Sequence, residues 1–121
     1  MSGMTAEERE EALRAIDSTI RKNEKARETL LAKEPPRVGQ AGRVERNLEA
    51  LRLASALVSG GAAAYSGEER AAAGRTLEAL TGQVEKALPK FRPGTPQHTL
   101  AVRRIRAFRA ALALLDETGG G

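Results

Sequence analysis

Moved along itself by 57 residues, the chain matches its own second half, and no other feature constrains the fold as much. Gln40 meets Gln97, Arg46 meets Arg103, Leu48 meets Ile105 and Ala50 meets Ala107. Leu51 then meets Phe108, Arg52 meets Arg109, and Ala54, Ala56 and Leu57 meet Ala111, Ala113 and Leu114. A shift of 61 aligns Glu24-Lys25-Ala26 with Glu85-Lys86-Ala87. The four-residue difference falls in a proline-containing loop, where an insertion costs little. A chain made of one unit used twice buries the apolar face of one copy against that of the other.

The unit is a helical hairpin. Thr5-Ala6-Glu7-Glu8 is a capping box, and the glutamates at 7, 8, 10 and 11 suit the positive end of a helix dipole. Leu13, Ile16 and Ile20 follow at helical spacing, and Leu30 and Leu31 close that stripe. Pro35-Pro36 ends the first helix near Lys33, because proline disfavours a helical residue before it. A second helix starts between Gly39 and Gly42, presents Val44, Leu48, Leu51, Ser55 and Val58, and stops at Gly60-Gly61. Leu53 and Leu57 lie off that face and predict a second contact, within the bundle or with a partner.

Ser66-Gly67-Glu68-Glu69 repeats the capping box. Leu77, Leu80, Val84 and Leu88 form the third stripe, which Pro89 and Pro93 end. Thr95-Pro96 has the form of an N-cap followed by proline at the first helical position. The fourth helix then runs to about Leu115 with Ala101, Ile105, Phe108, Leu112 and Leu115 inward. Short loops make neighbouring helices antiparallel. The expected fold is all-α: one domain over residues 5–118, an up-down-up-down four-helix bundle of two tandem hairpins (about 5–60 and 66–117) with pseudo-twofold symmetry. Met1-Ser2-Gly3-Met4 reads as a vector-derived leader with a second start at Met4, and Gly119-Gly120-Gly121 as a linker remnant.

The stretch from Glu85-Lys86-Ala87-Leu88-Pro89-Lys90-Phe91 through Gly94-Thr95-Pro96-Gln97-His98-Thr99-Leu100 to Arg104-Ile105-Arg106-Ala107 resembles the hairpin of small uncharacterised bacterial proteins that carry it twice. The first copy departs from that pattern, with Pro-Pro-Arg-Val-Gly-Gln in place of Gly-Thr-Pro-Gln-His. The resemblance implies duplication and implies no activity. A synthetic sequence designed on that pattern would read the same way.

Composition narrows the chemistry. Cysteine is absent, which removes disulfides, thiolate nucleophiles and cysteine metal sites together. A single histidine, His98, gives no metal site and no partnered base. No glycine loop ends in Gly-Lys-Ser/Thr, and no Glu-x-x-His pair suggests a di-iron bundle. No catalytic residue, cofactor or metal is assigned, and the chain reads as a non-enzyme. No apolar run approaches the roughly 18 residues of a membrane span, and no signal segment opens the chain, so a cytoplasmic location is expected.

Three functional readings follow. The leading one is a protein partner or self-association through Leu53 and Leu57. The second is nucleic acid held by a basic face: from Lys86 to Leu115 there is no acidic residue, and Arg103, Arg104, Arg106 and Arg109 are candidate phosphate contacts. A net charge of only +4 favours a plain solvated face over that reading. The third is a small anion in a polar pocket at the hairpin-loop end. Asn23 and Arg27 replace apolar residues of the repeat there, and Gln40, Gln97 and His98 belong to the same end. Against it, bundle ends are wet and Arg27 can reach out to solvent.

Overall fold

The structure, a computed structural model, describes residues 4–61 and 64–119. Four helices, α1 (Ala6–Leu31), α2 (Val38–Ser59), α3 (Gly67–Ala87) and α4 (Pro96–Gly119), pack as an up-down-up-down bundle, and a 3-10 turn, Leu88–Lys90, follows α3. There is no strand among the described residues.

Local chemistry sets the helix ends. Thr5 Oγ1 accepts from the Glu8 amide (3.1 Å) and Glu8 Oε1 accepts from the Thr5 amide (2.9 Å). Ser66 and Glu69 repeat the arrangement at 3.0 and 2.8 Å. Gly60 ends α2 at φ 89°; its amide donates to the Leu57 carbonyl and that of Gly61 to Ala56, the paired bonds of a Schellman motif. A Cβ at Gly60 would meet nothing within 4 Å, so Gly60→Ala costs only conformational energy. The expected loss is about 1–2 kcal/mol, read from a denaturant midpoint that falls without a change in slope. At α4 the His98 amide donates to Thr95 Oγ1 (3.3 Å) with Pro96 at the first helical position, as the sequence predicts.

The core is aliphatic around one aromatic ring. Phe108, Ile16, Leu48, Leu51, Leu53, Leu77 and Val58 are the largest fully buried side chains. Around the ring of helices α1 meets α2 and α4, and α3 meets the same two. The backbones of α2 and α4 also meet across the middle, while those of α1 and α3 stay apart. Buried alanines at 50, 54, 107 and 111 leave room for that diagonal approach. Touching three neighbours, α2 buries more than one face, and of the two contacts expected for Leu53 and Leu57 it is the one within the bundle that forms. Leu53 is 2% exposed and Leu57 7%, and both belong to the core cluster.

Two smaller expectations also change. Leu31 does not close the α1 stripe; it is 47% exposed, roughly 100° round the helix from half-buried Leu30. α4 continues to Gly119 instead of ending near Leu115, while Met4, read as a second start, packs against the core. Residues 1–3 and 120–121 of the expected ends lie outside the described residues.

Candidate functional site

The inward stripe of α4 is Ala101, Arg104, Phe108, Ala111 and Leu115, spaced three and four residues apart. That of α2 is Val44, Asn47, Leu51, Ala54 and Val58, at the same spacing. Such spacing keeps side chains on one helix face, so Asn47 and Arg104 occupy positions where a core residue is expected. On α1 the stripe Ala12, Ile16, Thr19, Asn23 and Ala26 is interrupted in the same way by Asn23. Only α3 stays apolar at this level, with Val84.

These four residues line one cavity of about 190 Å³, to which all four helices contribute. Deeper in, Phe108 and Leu80 are buried and form its apolar wall. Exposed Lys22 and Gln83 flank the mouth. No carboxylate lines the cavity. The nearby acids are held elsewhere: Glu45 pairs with Arg27, Glu85 with Arg109, and Glu24 with Arg52 at 3.4 Å.

The polar groups differ in how well they are satisfied. Thr19 donates its hydroxyl to the Ala15 carbonyl (2.8 Å), just as buried Thr81 does to that of Leu77 (2.7 Å). Asn23 Nδ2 donates to the Thr19 carbonyl (2.8 Å), and its Oδ1 accepts a long bond from Asn47 Nδ2 (3.4 Å). Arg104 is the outlier. Its Nε is shut off from solvent and has no hydrogen-bond partner among the described residues. Loss of water around the half-buried guanidinium pushes its pKa below the ordinary arginine value. Arginine still stays charged at neutral pH, so the cavity holds a cation without a counter-ion.

The sequence-predicted residues are only partly brought together. Asn23 lines the cavity. Arg27 does not, because it lies towards α2 and pairs with Glu45 there. Gln40 and Gln97 are exposed on the first turns of their helices, and half-buried His98 sits outside the cavity lining. The four candidate phosphate contacts do not share a face. Arg104 turns inward, Arg109 pairs with Glu85, and exposed Arg103 and Arg106 line a groove with Glu8 and Glu11 of α1. Leu53 and Leu57 offer no free surface. What stays large, apolar and exposed is Leu31, Val38 and Leu100, all at the loop end.

Lys22, Asn47, Gln83 and the inward role of Arg104 were missed from sequence. The three-four spacing is the signal that finds two of them, because it places Asn47 and Arg104 on core stripes. No group of three or more histidine or acidic residues that could hold a metal occurs among the described residues, and none of their helices is long and apolar enough to cross a membrane. Comparison with known proteins finds no matching family model, no similar curated protein and no similar solved structure.

Proposed function

We propose that this bundle is a non-enzymatic binding protein that takes a small organic anion into the cavity between its helices. The observation that carries the reading is Arg104: a cation on a core stripe, with a buried and unpartnered Nε, in a cavity without a carboxylate. Leaving a buried donor unpaired costs about 1–3 kcal/mol, and a carboxylate offsets that cost through a charge-assisted bond. Asn23 and Asn47 supply side-chain amides beside it. The surrounding charge favours the same ligand. Residues 22–45 and 83–104 carry eleven lysines and arginines against five glutamates, a net of +6. The rest of the chain is then −2, given the total of +4.

Protein NMR tests this directly. Titration with a panel of monocarboxylates should move the Arg104 Nε–H resonance and the side-chain amides of Asn23 and Asn47, and leave most of the spectrum in place. Arg104→Met should abolish those shifts while the fold persists. Shifts that survive in Arg104→Met, or no shift at these groups with any anion, would overturn the reading.

A further inference from the structure

Resting on that reading, we infer that the ligand is a monocarboxylate bearing one compact apolar group, a single ring or a short branched chain. Three features of the cavity set this class. The first is its division into two parts. Asn23, Asn47 and Arg104 stand one helical turn nearer the loop end than Thr19, Leu80 and Phe108. A ligand that places its carboxylate at Arg104 therefore lays its other end on Phe108 and Leu80.

The second is size. A cavity of roughly 150 Å³ lined by apolar side chains admits benzene. At about 190 Å³ the present one has room for a ring and a carboxylate, and a second ring would have to project from the mouth into solvent. The third is charge. Arg104 is the one half-buried cation on the lining, and Lys22 at the mouth is exposed. One negative charge is matched inside; a second has only the exposed, hydrated Lys22 at the mouth to meet it, which repays little of the water it would lose. Phosphate and dicarboxylates are therefore poor ligands.

Because the Arg104 Nε is closed off from solvent, the carboxylate is met only when the side chain turns that edge into the cavity. Each buried carbon of the ligand adds to affinity, so benzoate is expected to bind about a hundredfold more tightly than acetate.

The experiment is calorimetric titration of the full chain with benzoate, acetate, inorganic phosphate and benzyl alcohol, repeated on Ala26→Leu and Arg104→Met. Ala26 is half-buried on the cavity wall, and leucine there fills it while remaining a good helix former. Benzoate is expected to bind best, to lose at least tenfold in Ala26→Leu, and to lose all measurable binding in Arg104→Met. Acetate or phosphate binding as tightly as benzoate would overturn the ligand class and leave anion binding standing. Benzyl alcohol binding as tightly as benzoate would overturn the role of Arg104, and with it the reading beneath. No heat with any of the four, in samples that fold by circular dichroism, would overturn both.

Discussion

Leu53→Glu is expected to abolish cooperative folding. The side chain is 2% exposed between α2 and its neighbours, beside Tyr65, Ala72 and Ala73 of the second hairpin. Truncating a buried leucine costs about 2–5 kcal/mol through lost transfer energy and the cavity left behind. A carboxylate at the same place adds a desolvation penalty of several kcal/mol, which Arg46 and Arg52 on the exposed rim of the same pocket offset only in part. The sum rivals the whole stability of a domain this size, about 5–15 kcal/mol. Thermal melts followed by far-ultraviolet circular dichroism should show no sharp transition. Leu31→Glu serves as the control, because Leu31 is 47% exposed at a helix end. It should stay within about 0.5 kcal/mol of the parent. Equal stability of the two variants would show that Leu53 faces solvent or a partner after all.

The second large effect runs the other way: Arg104→Met is expected to stabilise the ligand-free protein. Methionine fills a similar length of space, needs no hydrogen bond and suits the neighbouring Phe108. It removes an unpaired buried donor and a half-buried charge. Because the guanidinium keeps partial contact with solvent, the gain is put at about 1–2 kcal/mol, below the full cost of an orphaned ionic group. The pH behaviour gives a further signature. Burial lowers the folded-state pKa of Arg104 below its unfolded value. A base shifted downward destabilises the fold wherever it is charged, and the penalty lifts only as pH rises through its titration range. That range lies far above neutrality, so the gain from Arg104→Met should be the same at roughly pH 5 and pH 9. Equilibrium unfolding in urea at both values measures it. A variant less stable than the parent would show that Arg104 already has a favourable partner within the fold.

Both predictions concern residues on which sequence and structure part company, and the reasons are physical. Helix ends were legible because they are written in local chemistry: Thr5 with Glu8, Ser66 with Glu69, Thr95 with Pro96, and Gly60 with Gly61. The four-helix architecture was legible because apolar stripes and short proline loops leave few alternatives. Lateral packing was not. Nothing in the order of residues says that α2 touches three helices, so the second contact of Leu53 and Leu57 stayed open between the bundle and a partner. The site suffered from a smaller error of the same kind. Reading α4 inward through Ile105 and Leu112 turns the helix by one residue, and that turn puts Arg104 outside. With Ala111 and Phe108 both buried, the stripe must also pass through Arg104. Alanines carry too little hydrophobic weight for a pattern count to notice this, although they set how closely α2 and α4 approach.

The unequal division of charge between the two halves has a consequence for how the molecule meets its surroundings. A helix of 26 residues is about 39 Å long, so the basic and acidic halves have centres roughly 20 Å apart. The bundle is therefore an elongated electric dipole, and a distant polyanion would turn it basic end first. That torque depends on ionic atmosphere. Fields reach about 30 Å in very dilute salt but only about 8 Å at physiological strength. In dilute buffer the whole loop half would draw in anions of any kind. In physiological salt the remote lysines and arginines fall silent, and only Lys22 and Arg104 remain close enough to select what enters.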